Sequence, residues 1–211
     1  MKFHFLATAV VAASLLAACA NPTRSRDLGN PAITGSVLAQ QACSLCHGVR
    51  GVSTSPNFPN LAAQRPDYVV AQLKEFRSHS RRDPEGFEYM WGVARRLTDQ
   101  QIDDLAAYYA AQPPARQGAE RGASQVDEGR KLFAAGAPDR GIPACSSCHG
   151  DQGQGLATFP RIAGQHADYI AKQLRVFQRT DQRPDGPAMQ AVAHPLTPAD
   201  IANAAAFLQT L

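Results

Sequence analysis

Hydrophobic positions along the chain recur with the period of a helix. Tyr68, Gln72, Leu73 and Phe76 share one face at i, i+4, i+5 and i+8, and Ile102, Leu105, Ala106 and Tyr109 do likewise, as amphipathic helices require. No segment alternates with the two-residue period of a strand, so the pattern predicts an all-α chain. Helix starts are expected at Asp67 and Asp168, and again at Thr98 and Thr197, whose short oxygen-bearing side chains suit the N-cap.

The pattern also repeats. Phe58-Pro59-Asn60-Leu61-Ala62-Ala63-Gln64 returns as Phe159-Pro160-Arg161-Ile162-Ala163-Gly164-Gln165, 101 positions later. Gln72, Leu73 and Phe76 pair with Gln173, Leu174 and Phe177; Met90, Leu97, Thr98 and Ile102 pair with Met189, Leu196, Thr197 and Ile201. Two copies of one domain are therefore expected at residues 31–112 and 126–211. Residues 113–125, rich in Pro, Gly and polar side chains, form the linker between them. Each copy reads as a helix, a loop with Gly and Pro, a middle helix, a second loop and a closing helix. About 85 residues make a thin core, so a bulky prosthetic group is the natural filler.

Residues 1–18 differ from the rest. Lys2 precedes an uncharged run from Phe5 to Ala18 that ends in small side chains, the pattern of an export leader and too short for a membrane-spanning helix. Leu16-Ala17-Ala18-Cys19 has the form of a bacterial lipobox, in which Cys19 is lipidated and becomes the first mature residue. Residues 19–30 then form a polar tether. Cleavage after Ala20 competes, since Ala18-Cys19-Ala20 fits an A-x-A site, and would release a soluble periplasmic protein. Either route places the chain outside the cytoplasm.

Charge adds little. Of the 211 residues, 21 are Lys or Arg and 18 are Asp or Glu. From Cys19 onward each half carries ten basic and nine acidic side chains, which gives no nucleic-acid patch.

The chemistry lies in the other four cysteines, which stand as Cys43-Ser44-Leu45-Cys46-His47 and Cys145-Ser146-Ser147-Cys148-His149. C-x-x-C-H is the attachment motif of c-type haem. Two thiols three residues apart bond one porphyrin edge, and the adjoining His becomes the proximal iron ligand. A thioredoxin-like pair does not call for the His. A zinc site would need both cysteine pairs to converge, although each has its own half and its own His. Apart from Met1 the only methionines are Met90 and Met189, at matching points 43 and 40 residues after His47 and His149. They are the candidates for the sixth iron position, where a thioether raises the reduction potential. His79, His166 and His194 lack a histidine at the equivalent point of the other copy and read as surface or structural, with His79 the one rival ligand because it precedes Met90. Trp91 reads as core. The Pro59 and Pro160 carbonyls are placed to accept from the proximal His Nδ1–H, and Tyr68 and Tyr169 are candidates to reach haem propionates.

With both C-x-x-C-H-G motifs, both F-P-x-[LI]-A-x-Q segments and the Met-to-closing-helix segments in view, the chain from about residue 30 resembles the dihaem class I cytochromes c of the cytochrome c-four type. The approach from Gly129 to Phe133 and from Gly141 to Cys145 strengthens that resemblance. It implies two tandem class I cytochrome c domains, face to face, each around one haem c. Cys43, Cys46, Cys145 and Cys148 would carry the covalent links, and His47/Met90 and His149/Met189 the axial pairs. It also implies an electron carrier between a quinol-oxidising complex and a terminal oxidase, rather than an enzyme. The lipobox departs from soluble members. An electron-accepting subunit of a periplasmic dehydrogenase is the near alternative. A dihaem peroxidase is a more remote one, because it needs an open iron position.

Overall fold

The computed structural model describes residues 26–84, 86–116, 118, 122–179, 181–184 and 186–211. The leader, Cys19 and most of the tether lie outside the described residues. In the first half, α1 (Gly35–Leu38) continues through a π-helical stretch, Ala39–Cys43, into α2 (Ser44–His47) without leaving helical backbone angles. Then come α3 (Pro66–Ser78), a π-helical turn at Gly86–Met90, α4 (Trp91–Ala94) and α5 (Asp99–Ala110). The second half follows the same plan with α6 (Ala123–Ala135), a 3₁₀ turn at Pro138–Arg140, α7 (Ser146–His149), α8 (Ala167–Phe177), α9 (Pro187–Ala193) and α10 (Pro198–Thr210). Among the described residues the only β contact is an isolated bridge between Ala137 and Ile142, which closes the loop leading to α7.

Two separate apolar clusters form. One gathers Ile33, Leu38, Phe76, Leu97, Ile102, Leu105 and Tyr109; the other gathers Val126, Leu132, Phe133, Ile142, Ile170, Ile201 and Phe207. In each, the entry helix crosses the closing helix at a glycine. A Cβ on Gly35 would lie 2.6 Å from the Gln101 carbonyl oxygen, and one on Gly129 would strike the Asn203 carbonyl. Only glycine lets the backbones approach so closely.

The cap expectations divide. Thr98 and Thr197 both build capping boxes, with Gln101 and Asp200 returning the bond. Asp67 and Asp168 are not caps: Arg65 and His166 hold those positions. Pro66 at the first helical position keeps Arg65 extended and starts the helix early, leaving Asp67 in the first turn, where the helix dipole favours it. The segments expected as second loops also coil, into the turn before Met90 and into α9, which Pro187 opens.

Candidate functional site

Cys43 ends the π-helical stretch, and Cys46 and His47 follow within one helical turn, so both sulfurs share a face and the imidazole stands beside them. Cys145, Cys148 and His149 repeat this on α7. Each helix stops at a glycine with positive φ, Gly48 at 75° and Gly150 at 82°, which turns the chain away directly after the His. His47 and His149 are buried. His47 Nδ1 lies 2.9 Å from the Pro59 carbonyl oxygen, and His149 Nδ1 lies 2.8 Å from that of Pro160.

Such a bond fixes the tautomer. With the proton on Nδ1, Nε2 keeps its lone pair for a metal. Burial also lowers the pKa of both imidazoles, against the opposing pull of the proline carbonyls, so they are neutral, as a ligand must be. Phe58 and Phe159 stand edge-on to the two rings at 6.2 and 6.1 Å, each at 68°. The two sites are therefore near copies.

The thiols speak against redox chemistry of their own. Burial pushes Cys43 up to about 11 and raises Cys145 as well, whereas a reactive dithiol needs a depressed pKa. Among the described residues no three His, Cys, Asp or Glu side chains gather into a metal cluster, and the two cysteine pairs do not converge on zinc.

Met90 packs half-buried against the first core at the end of its π-helical turn, and Met189 is half-buried on α9. His79 ends α3 in the left-handed conformation, and its ring stacks on Trp91 at 4.2 Å. The Trp91 indole N–H donates to the Arg81 carbonyl at 2.7 Å. His194 is exposed. His166 is buried and structural: its Nε2 bonds the Ser53 carbonyl of the other half at 3.1 Å.

That last contact belongs to the junction between the halves, whose face-to-face packing the resemblance implies but whose bonds the sequence alone does not name. Arg81 donates to Gln72 Oε1 at 2.6 Å and to Gln173 Oε1 at 3.3 Å, while Arg183 donates to Gln173 Oε1 at 2.8 Å and to Gln72 Oε1 at 3.0 Å. Each arginine thus holds the glutamine of its own half and that of the other. Asp83 pairs with Arg81 at 2.6 Å and accepts from Gln173 Nε2 at 3.2 Å. Tyr169 bonds Arg81 across the junction, and Tyr68 lies within electrostatic reach of both. The signal available in sequence was the recurrence of Gln72 as Gln173 on an otherwise apolar helix face.

The family model for cytochrome c matches residues 32–111 and again 126–211. The chain belongs to the cytochrome c family. A cytochrome c4 of Thiocapsa roseopersicina is 40% identical over 189 residues, covering 87% of this chain and 94% of that one. The crystal structure of reduced recombinant cytochrome c4 from Pseudomonas stutzeri superposes with a TM-score of 0.77 at 36% identity, covering 84% of this chain and 96% of that one. A thiosulfate dehydrogenase electron acceptor of Stutzerimonas stutzeri (strain A1501) is 37% identical over 155 residues, covering 72% of this chain and 69% of that one. This cytochrome is of the dihaem c4 type, an all-α pair of class I domains and an electron-transfer protein rather than an enzyme. Its cofactors are two covalently attached haem c groups. The donor sets fit them: paired sulfurs on one turn, beside a neutral imidazole whose Nε2 is kept for iron.

Proposed function

We propose that this cytochrome carries single electrons outside the cytoplasm, with His47/Met90 and His149/Met189 as axial pairs. Cys43, Cys46, Cys145 and Cys148 form the thioether links. Haem iron, when bound, supplies a one-electron ferrous/ferric couple. The protein's part is to fix both irons in six-coordinate sites and to shield them from water, so that little rearranges on electron transfer. The observation that carries the reading is the matching His–Pro carbonyl geometry in both halves. A peroxidase or a gas sensor would specialise one half.

The test is a carbon monoxide difference spectrum of the dithionite-reduced holoprotein at neutral pH. No binding is expected. Met90→Ala and Met189→Ala should each open one haem to carbon monoxide and lower its potential without releasing it. Stoichiometric binding to the wild type would replace the carrier with an open-site haem protein.

Two partner assignments follow. Residues 1–18 as leader and Cys19 as lipid attachment give a periplasmic carrier tethered to the membrane, working between a quinol-oxidising complex and a terminal oxidase; the intact mass of the mature protein tests the lipid. Among the described residues no helix is long and apolar enough to cross a membrane. The similarity to a thiosulfate dehydrogenase electron acceptor supports the second assignment, acceptor for a periplasmic dehydrogenase. Co-purification with a dehydrogenase under mild extraction favours it, and recovery as a lone protein favours the first.

A further inference from the structure

The peptide groups that hold the two proximal histidines are themselves held from the opposite half. The Pro59 carbonyl accepts from His47 Nδ1–H, and the N–H of the same peptide unit, that of Asn60, donates to Gln165 Oε1 at 2.8 Å. The Pro160 carbonyl accepts from His149 Nδ1–H, and the Arg161 N–H beyond it donates to Gln64 Oε1 at 2.8 Å. Both glutamines close the pairing with their amide N–H groups: Gln165 Nε2 to the Asn60 carbonyl at 3.0 Å, and Gln64 Nε2 to the Arg161 carbonyl at 2.9 Å. Each Oε1 also accepts the next N–H of its own chain, from His166 at 3.0 Å and from Arg65 at 2.9 Å. Gln64, Gln165 and Asn60 are all buried.

We infer that Gln165 and Gln64 are positioning residues that set, crosswise, the strength of the proximal histidine in the other half. An acceptor on an amide N–H draws electron density through the peptide onto its carbonyl oxygen, so consecutive hydrogen bonds in a low-dielectric interior reinforce one another. A more negative Pro59 oxygen pulls harder on His47 Nδ1–H and makes the imidazole a stronger donor at Nε2. A stronger donor favours ferric over ferrous iron and lowers the potential of that haem. The first haem is thus governed by a side chain of the second half, and the second by one of the first. This rests on His47 and His149 being the proximal ligands.

The experiment resolves the two midpoint potentials of holoprotein variants by spectroelectrochemistry, with assignment by proton NMR. Gln165→Leu removes the acceptor from Asn60 N–H and should raise the potential of the first haem more than that of the second. Gln64→Leu should do the reverse. Gln165→Glu keeps an acceptor of greater charge and should lower the first potential, which provides a reading even where the leucine variant folds poorly. Loosening of the junction would instead admit water and lower both potentials in either leucine variant; that result, or no shift, overturns the inference. A second readout separates it from the ligand assignment. In the reduced wild type the His47 ring protons should carry the large ring-current shift of an iron-bound imidazole, and their lacking it would sink the assignment itself. With that shift present, an Nδ1–H resonance unmoved by Gln165→Leu would overturn the crosswise control alone.

Discussion

Arg81 and Asp83 are 4% and 1% exposed and meet through two bonds of 2.6 and 3.1 Å. Burial alone would raise the Asp83 carboxyl, but Arg81, with Gln173 and Arg183 of the other half added to it, outweighs burial and holds the group below the ordinary carboxylate range. Removing one partner of such a pair leaves a buried charge uncompensated, at a cost of about 3–5 kcal/mol. Asp83→Asn should therefore destabilise the holoprotein by that order in urea unfolding, while Arg81→Met/Asp83→Leu together lose less, since no lone charge remains. A loss below about 1 kcal/mol for Asp83→Asn, within the ordinary range of single substitutions, would show that water reaches the site. At this scale the sequence was legible where chemistry dictates short spacing, as in both C-x-x-C-H motifs, and illegible where it does not. Arg81-Arg82-Asp83-Pro84 has the composition of an exposed turn, and a hydrogen-bond partner of both buried groups, Gln173, lies some ninety positions away.

Among the elements, α10 shows how far local rules reach. Its first turn carries a capping box in which Asp200 accepts from the Thr197 N–H at 2.8 Å and Thr197 Oγ1 accepts from the Asp200 N–H at 3.1 Å. Arg140, from the 3₁₀ turn before α7, adds bonds of 2.6 and 3.1 Å to the same carboxylate. The bond from Arg140 above all, with those from Thr197 added to it, brings Asp200 down to about 2 against the opposing effect of burial. A carboxyl whose folded pKa lies below its unfolded value, about 3.9, contributes stability that is full above that value and lost as the pH falls toward the folded one. Arg140 is 37% exposed, so solvent screening keeps the contribution of the pair small. Arg140→Ala should be slightly less stable than wild type at neutral pH, and the gap should close as the pH falls from about 4 to about 2. A gap unchanged at the acid end would mean that Arg140 acts by packing. Thr197 and its box were readable because capping is local. The helix start at Pro66 was misplaced by its neighbour Asp67, since a good capping residue yields to the backbone restriction that proline imposes on Arg65.

The duplication was visible in the sequence, but the faces on which the halves meet were not, because buried glutamines and arginines look like surface residues until their partners are known. The apolar clusters are separate, so by core packing alone the halves would unfold independently. The junction argues otherwise. Unfolding one half would strip Asn60, Gln64, Gln165, Arg81 and Asp83 of the bonds they make across the junction. Each such hydrogen bond contributes about 0.5–1.5 kcal/mol net, and those to charged groups about 1.5–3. Several such contributions together approach the whole stability of a small domain, about 5–15 kcal/mol. Holoprotein unfolding should then be one cooperative transition. Trp91, the single tryptophan, reports the first half by loss of haem quenching, and far-ultraviolet circular dichroism reports both. Coincident midpoints are expected in the wild type, and separated midpoints in Gln64→Leu/Gln165→Leu/Asp83→Asn, where the junction is emptied of its paired groups. Separated midpoints in the wild type would show the junction to be too weak to couple the two halves.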